Sequence, residues 1–472
     1  MKVIVCGAGQ VGFGIARHLS EEGNDVTVVD SSPALMQQMS NVLDVRPILG
    51  HGGHPEVLKQ AGAADADILI AVTASDEVNM VICEVAKNLF NTGKTIARVR
   101  DAHYLDPQWK SLFALDKIPV DVIISPEKEV ADAVVRRWAL PGAFDNAAFC
   151  DGEAQMIGIG IEENCPVVDT PLNQLTGLFP DLEAIVVGVK RDGRLYVPEF
   201  DDTLQINDEA YLITSSGDTE RTLKIFGHEE RQARRIVMVG AGNIGVQVAN
   251  QLSGQQAVLT IIEADQERAQ NVSELLPNKV VVLTGSGLDP EKLVEAGVRE
   301  ADLILALTNN DQVNVLAIML ALQDNCKRGM CLINNSAFEV LGGRFGMEAA
   351  INPRAVTISS VLGYVRQGQI VRVHAVDDGS AEVVERRVGD GSHFIGQKIK
   401  ALDFPTGVRL GAIMREHELI MPRGATHLKK NDRLVIFIIK DAVDAAEDFF
   451  SGSEPSPQKS ASKKSNKKAD AV

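Results

Sequence analysis

The sequence is poor in aromatic residues and in long apolar runs, and it has no excess of positive charge. Its longest unbroken apolar run, residues 315–322, has eight residues, whereas a membrane-spanning helix needs about 20. Forty-seven basic residues against 64 acidic ones give a net charge of −17, so the protein as a whole repels nucleic acid and anionic lipid surfaces. These features exclude a pore formed by this chain alone, and they argue against a nucleic-acid partner.

Cysteine is also scarce, since six cysteines in 472 residues do not form the pattern of a disulfide framework. Cys6 and Cys83 lie in apolar segments, which favours reduced, packed thiols in a cytoplasmic protein. Only four apolar residues follow Met1 and Lys2 before the first glycine, so no secretory signal is predicted at the start of the chain.

The sequence contains the same pattern twice. A predicted strand at residues 2–6 leads into the glycine-rich run Gly7–Gly12, and a second strand ends on Asp30. At an offset of 233, a strand leads into Gly240–Gly245, and the next strand ends on Glu263. Further along, residues 55–79 match residues 290–314 at twelve of 25 positions. The chain is therefore an internal duplication.

Each half begins with short apolar strands that alternate with helices, which is typical of a parallel, doubly wound sheet. The later part of each half is rich in strands and turn signals, and it predicts a small α+β domain. The last residues are mainly Ser, Lys and Pro, which cannot bury enough apolar surface to order themselves. We predict doubly wound domains at residues 1–140 and 229–366, small domains at 141–228 and 367–450, and a disordered basic tail at 451–472.

The glycine spacing predicts a nucleotide-binding turn in each half. In the first half, Gly-x-Gly-x-x-Gly follows a strand, opens a helix and precedes Asp30 by 18 positions. Gly7 permits a tight turn, Gly9 lets the backbone approach a pyrophosphate, and Gly12 lets the helix pack close to the strand. The helix N-terminus attracts a diphosphate, and Asp30 can accept both ribose hydroxyls and repel a 2′-phosphate. This predicts NAD(H) over NADP(H), while ATP and ADP stay open because they carry the same adenosine diphosphate group.

Two further candidates lie at the carboxyl edge of the predicted sheet, where ligands of such folds bind. Thr73 ends the fourth strand, where it contacts a ligand or forms a turn or helix cap. Arg98 lies at the end of the fifth strand, and it is either a phosphate ligand or the partner of a nearby acid. His51 and His54 have the spacing of a metal pair, but the second half has no histidine there, so a loop is the better interpretation.

The motifs at residues 3–12, 71–79 and 95–100 resemble those of the conductance-regulating domain, also called RCK or KTN. The tandem arrangement over residues 1–450 is similar to that of the cytoplasmic nucleotide-binding subunits of bacterial Trk potassium uptake systems. The resemblance implies two Rossmann-like doubly wound parallel sheets, each followed by a small α+β RCK C-terminal domain. It also implies a ring of eight sheet domains, hence a homotetramer. A potassium-translocating partner of the TrkH type would attach the protein peripherally to the inner face of the cell membrane.

The resemblance also implies which residues hold NAD(H). In the first half these are Gly7, Ala8, Gly9, Gln10, Val11, Gly12, Asp30, Thr73 and Arg98, and in the second half Gly240, Ala241, Gly242, Asn243, Ile244 and Glu263. At strand five the second half has Ile333, Asn334 and Asn335 where the first has Ala-Arg-Val-Arg, so it lacks both arginines. We predict tight NAD(H) binding in the first half and weaker binding, or a different adenine nucleotide, in the second.

No catalytic set accompanies the predicted cofactor sites. Nicotinamide enzymes place a proton donor, often His, Lys or Tyr, near the reacting carbon. The nine histidines include no pair at equivalent positions of the two halves. The sequence therefore favours a regulatory subunit, without enzymatic activity, that senses a nucleotide and gates a potassium path. The alternatives are an NAD-dependent dehydrogenase with duplicated domains and a soluble nucleotide sensor without a membrane partner.

Overall fold

Four sheets follow one another along the chain in a computed structural model of the protein. The structure describes residues 1–113, 117–335, 338, 347, 349–365, 370–389 and 392–451. Ser451 ends the last helix, and the rest of the predicted basic tail, residues 452–472, lies outside the described residues. Two of the sheets are parallel and two are antiparallel, in alternation, which confirms the predicted fold class.

The first parallel-sheet domain has six strands with helices on both faces. Its strands are β1 (Lys2–Cys6), β2 (Asp25–Asp30), β3 (Arg46–Leu49), β4 (Ile68–Ala71), β5 (Lys94–Arg98) and β6 (Val122–Ile124). Its helices are α1 (Gln10–Glu21), α2 (Pro33–Val42), α3 (Pro55–Ala61), α4 (Asp76–Phe90) and α5 (Pro126–Ala139). The strand order β3-β2-β1-β4-β5-β6 reverses between β1 and β4, so a crevice forms at the carboxyl ends of these two strands.

The first small domain follows α5 in the chain. It contains β7 (Ala143–Phe149), β8 (Ala154–Gly160), α6 (Leu172–Leu178), β9 (Ala184–Arg191), β10 (Arg194–Tyr196), β11 (Glu209–Ser215) and α7 (Thr219–Ile225).

The second half opens with a second parallel-sheet domain of the same design. The second parallel-sheet domain has strands β12 (Arg235–Val239), β13 (Val258–Glu263), β14 (Val281–Thr284), β15 (Leu303–Ala306), β16 (Gly329–Leu332) and β17 (Ala349–Ile351). Its helices are α8 (Asn243–Ser253), α9 (Gln266–Leu275), α10 (Pro290–Glu295), α11 (Asp311–Gln323) and α12 (Pro353–Val365). The strand order β14-β13-β12-β15-β16-β17 repeats that of the first sheet.

The second small domain ends the described chain. It contains β18 (Ile370–Val376), β19 (Ala381–Arg387), β20 (Val408–Arg415), β21 (Glu418–Ile420), β22 (Arg433–Ile439) and α13 (Val443–Ser451). Each small domain is a five-stranded antiparallel sheet, with orders β10-β9-β11-β8-β7 and β18-β19-β22-β20-β21. No helix among the residues that the structure describes has both the length and the apolar character needed to cross a bilayer.

Helices α5 and α12 each begin with a capping residue that is followed by a proline. Ser125 accepts a hydrogen bond from the backbone N–H of Lys128 at 3.4 Å, and Pro126 occupies the first turn. Asn352 accepts from the backbone N–H groups of Arg354 and Ala355, at 3.0 and 3.2 Å. These caps satisfy N–H groups that have no partner within the helix.

The two halves exchange these helices. The buried face of α5, with Val130, Val134 and Trp138, belongs to the core of the second parallel-sheet domain. The buried face of α12, with Val361 and Val365, belongs to the core of the first. Helices α5 and α12 also pack on each other. Each parallel-sheet domain is thus completed by a helix from the other half.

The two small domains pair through the open faces of their sheets. Their shared core contains Phe149, Tyr211 and Ile213 from the first small domain and Phe437 from the second. A Cβ added to Gly188 would lie 2.5 Å from Cζ of Phe437, so the aromatic ring occupies the space that this glycine leaves. The small-domain interface is therefore tightly packed and joins the two halves a second time.

Candidate nucleotide-binding site

The first glycine-rich turn has the geometry that its sequence predicts. Gly7 adopts φ +114°, and a Cβ there would lie 2.8 Å from the carbonyl oxygen of Val72. A Cβ at Gly12 would lie 1.8 Å from the carbonyl oxygen of Gly7, which shows how closely α1 packs against the turn. Around Gly9, in contrast, a Cβ would meet no atom of the described residues within 4 Å. The turn therefore leaves open space beside Gly9, at the N-terminus of α1.

Asp30 holds this turn in place. One carboxylate oxygen accepts a hydrogen bond from the backbone N–H of Ala8 at 2.7 Å, and the other accepts from Ser32 N–H at 2.8 Å. Each carboxylate oxygen can accept a second hydrogen bond, so these contacts leave capacity for ribose hydroxyls. Asp30 is both a support for the turn and a candidate ligand.

Thr73 and Arg98 are connected through Asn79, a buried residue to which the sequence analysis gave no role. The side-chain oxygen of Asn79 accepts from the Thr73 backbone N–H at 2.8 Å and from its hydroxyl at 2.7 Å. Its side-chain nitrogen donates to the carbonyl oxygen of Arg98 at 2.9 Å. Ser75 caps α4 through the backbone N–H of Val78. Asn79 therefore fixes the carboxyl ends of β4 and β5 relative to each other.

The Arg98 guanidinium has a buried nitrogen, Nε, that makes no hydrogen bond within the described chain. One carboxylate oxygen of Glu127, at the start of α5, is equally buried and unpaired. Burial lowers the pKa of Arg98 and raises that of Glu127, and the charge of each partly offsets the effect on the other. Arg100 is different, because Asp76 and the carbonyl oxygen of Ala74 accept its donors. Arg98 therefore keeps donor capacity for a phosphate.

A cavity of about 690 Å³ lies at the carboxyl ends of the strands of the first parallel sheet. Seven predicted residues line it: Gly7, Gly9, Gln10, Val11, Asp30, Thr73 and Arg98. Ala8 and Gly12, which were also predicted, lie outside the lining. The lining also includes residues of the same half that were not predicted for this site, among them Leu35 and His51. Five residues come from the other half: Ile244, which was predicted for the second site, and Asn334, Pro353, Arg354 and Thr357. His51 thus lies at this cavity.

The second glycine-rich turn repeats the backbone geometry of the first. Gly240 adopts φ +99°, and a Cβ at Gly245 would lie 2.3 Å from the carbonyl oxygen of Gly240. Glu263 accepts from the backbone N–H groups of Ala241 at 2.7 Å and Asp265 at 3.0 Å. Although its side chain is one methylene longer than that of Asp30, Glu263 supports its turn in the same way.

The two sites differ at strand five. The hydrogen bonds of the structure show which residues of the second half are equivalent to Arg98 and Arg100. Asn314 donates to the carbonyl oxygen of Leu332, as Asn79 does to that of Arg98. The equivalent of Arg98 is therefore Leu332, one residue before the predicted segment, and its side chain is buried. Asn334 donates its backbone N–H to Asp311, as Arg100 does to Asp76, so Asn334 replaces Arg100. Both arginines are absent, as predicted.

Comparison with known proteins now identifies the family. Residues 3–126 and 236–353 match the TrkA-N domain, and residues 156–227 and 383–451 match the TrkA-C domain. The chain belongs to the TrkA family. Three relatives are each called Trk system potassium uptake protein TrkA. The protein of Azorhizobium caulinodans is 44% identical over 95% of this chain and 98% of its own length. Those of Halomonas elongata and Vibrio alginolyticus are 38% and 35% identical, over 93% and 97% of this chain and 96% and 99% of theirs.

Solved structures share the fold of this TrkA-family chain. A structure described as the GsuK channel bound to NAD has a TM-score of 0.60, with 16% identity over 96% of this chain and 79% of its own. The GsuK RCK domain has a TM-score of 0.58, with 17% identity over 96% of this chain and 95% of its own. The expected RCK fold is thereby confirmed, and two TrkA-N and two TrkA-C domains account for the duplication.

Proposed function

We propose that the first-half cavity binds NAD(H), with Gly7, Gly9 and Gln10 facing the diphosphate and Asp30 the adenosine ribose. The observation that carries the proposal is the buried Nε of Arg98, which has no hydrogen-bond partner among the described residues, together with an open glycine turn at the same cavity. A buried donor without a partner costs about 1–3 kcal/mol, and a phosphate oxygen would remove that cost. The name of the GsuK structure, which includes NAD, supports this choice, while ATP and ADP fit the same turn.

We propose weaker binding, or a different adenine nucleotide, at the second turn. There Gly240–Ile244 and Glu263 are present, but Leu332 and Asn334 replace Arg98 and Arg100. A hydrogen bond to a charged group contributes about 1.5–3 kcal/mol, which is roughly 10- to 150-fold in affinity. The two sites should therefore differ by at least about tenfold.

Nucleotide binding in this chain serves regulation. The names of the relatives place them in a Trk potassium uptake system, and we propose that this protein gates a membrane-embedded potassium-translocating subunit of the TrkH type. It would act from the cytoplasmic face as a peripheral homotetramer, without catalysing a reaction. A tenfold change in gating needs only about 1.4 kcal/mol of differential nucleotide binding between two ring conformations, shared among four chains.

The test of the binding site is calorimetric titration of the purified protein with NADH, NAD, ATP and ADP. We expect a tight and a weak phase for the preferred nucleotide, with Asp30→Ala removing the tight phase and Glu263→Ala leaving it in place. Arg98→Ala should weaken the tight phase towards the affinity of the weak one. Two indistinguishable phases, equally damaged by either carboxylate substitution, would contradict the assignment.

The test of the regulatory role is potassium flux through the membrane partner in vesicles, with and without this protein and nucleotide. We expect flux to depend on nucleotide in the presence of the parent protein and to lose that dependence with Asp30→Ala. The dehydrogenase alternative is excluded if NADH is not consumed with small carbonyl substrates. Steady NADH oxidation that Asp30→Ala abolishes would favour the dehydrogenase.

A further inference from the structure

Both halves of the chain line the first-half cavity. Several of its lining residues occur as equivalent pairs, one from each half: Val11 with Ile244, Arg100 with Asn334, Pro126 with Pro353, and Val130 with Thr357. The exchange of α5 and α12 brings the N-termini of both helices to this cavity. A ligand at the first glycine-rich turn thus faces residues of the second half.

One equivalent pair carries opposite charges. Glu127 follows Pro126 in the first turn of α5, and Arg354 follows Pro353 in the first turn of α12. Both side chains line the cavity. The duplication therefore carries an acid at this position in one half and a base in the other.

Arg354 differs from the other arginines of the cavity, because no described residue provides it with a counter-charge. Arg100 is paired with Asp76, and Arg98 lies near enough to Glu127 for each to influence the other's ionisation. The half-buried side chain of Arg354 makes no hydrogen bond or ion pair with any residue that the structure describes, and its backbone N–H is already bonded to Asn352. A guanidinium has five donors and no acceptor, and its fork matches phosphate oxygens.

We propose that Arg354 is a phosphate ligand of the nucleotide bound at the first glycine-rich turn, so that the second half supplies part of the first-half site. The inference rests on the proposed nucleotide binding and adds to it a residue on a helix of the other half. Nucleotide bound by both halves would also stabilise the packing of α12 against the first parallel-sheet domain, and so link site occupancy to the second small domain that follows α12.

The experiment compares full-length Arg354→Gln with the parent protein by NADH and ADP titration. We expect the tight phase, which Asp30→Ala removes, to weaken about tenfold or more, because a charge-assisted hydrogen bond is lost. Arg354→Lys should recover part of this affinity, since it keeps the charge but not the fork. Arg194→Gln, which removes an exposed charge in the β9–β10 hairpin, is the matched control and should bind like the parent.

A second readout separates a ligand role from a packing role. Because Arg354 has no partner in the described chain without nucleotide, Arg354→Gln should leave the ligand-free melting temperature unchanged and reduce only the rise that NADH produces. An unchanged tight phase, a loss confined to the weak phase, or a lower ligand-free melting temperature with unaltered affinity would each refute the inference. Failure of the parent protein to bind any nucleotide would instead refute the proposed function.

Discussion

The indole N–H of Trp138 donates a hydrogen bond to the carbonyl oxygen of Ala233 at 2.8 Å. Both residues are buried, although Trp138 lies at the end of α5 in the first half and Ala233 just before β12 in the second. The contact is therefore a direct link between the halves, made inside the core of the second parallel-sheet domain.

We predict that Trp138→Ala destabilises the second parallel-sheet domain by about 3–5 kcal/mol, because it removes a large core side chain and leaves a carbonyl unpaired. Urea denaturation followed by circular dichroism measures this loss. Trp109→Ala is the control, since the Trp109 side chain is 55% exposed and its removal should change stability by less than about 0.5 kcal/mol. Equal effects of the two substitutions would show that α5 is not part of the second core.

We predict that Asn79→Ala and Asn314→Ala have similar effects on stability and different effects on nucleotide binding. Each removes a buried amide that joins two strand ends, at a cost of about 1–3 kcal/mol for the groups left unpaired. Only Asn79→Ala should weaken the tight phase of the nucleotide titration, because Asn79 holds the strand end that carries Arg98, whereas Asn314 holds the one that carries Leu332. Thermal melting and calorimetry on both variants provide the comparison, and equal loss of tight binding in both would contradict it.

We predict that the Asp302 carboxylate stabilises the folded protein and that this stabilisation is lost at acid pH. The backbone N–H of Arg235, together with the Lys327 ammonium, lowers the pKa of Asp302 from 3.8 to about 2. Because the folded state favours the ionised carboxylate, this stabilisation is fully present above the unfolded pKa and is lost as the pH falls through 3.8 towards about 2.

The corresponding measurement is the free energy of unfolding of Asp302→Asn against the parent as a function of pH. The substitution should cost about 1–2 kcal/mol above about pH 5, and the difference should shrink as the pH approaches 3. Glu274→Gln, at an exposed position of α9, should show no such difference at any pH. A deficit that persists unchanged at low pH would mean that the carboxylate charge is not its cause.

We predict that Gly188→Ala weakens the pairing of the small domains by about 1–3 kcal/mol, because a new methyl group would meet the Phe437 ring. Differential scanning calorimetry should show the small-domain transition at a lower temperature. Gly160→Ala is the matched control, since within the described part of the chain a Cβ there meets no atom within 4 Å. A stability loss equal in the two variants would point to strand propensity instead of the interface.

Local rules explain why so much of the first site was predictable. The glycine-rich turn follows from steric limits on Gly7 and Gly12, and the capped starts of α5 and α12 follow from hydrogen bonding within a few residues. These interactions are short-range in sequence, so a motif of ten residues contains nearly all the information. The repeat added a second copy against which each candidate could be compared.

The exchange of helices could not be predicted in the same way. The apolar face of α5 indicates that the helix is buried, but the pattern is the same whichever sheet covers it. For the same reason, the contribution of Ile244 and Arg354 to the first cavity was missed, because it depends on how two domains pack. The equivalence of Leu332 to Arg98 likewise depends on the hydrogen bond that Asn314 donates to the Leu332 carbonyl.

The helix exchange also bears on how such a chain arose. A polypeptide with one parallel-sheet domain and its terminal helix would expose the apolar face of that helix, and it would bury the face by associating with a second copy. Fusion of two such copies converts a bimolecular contact into an intramolecular one. The concentration-dependent step then disappears, and the two copies become free to diverge, as Glu127 and Arg354 have done.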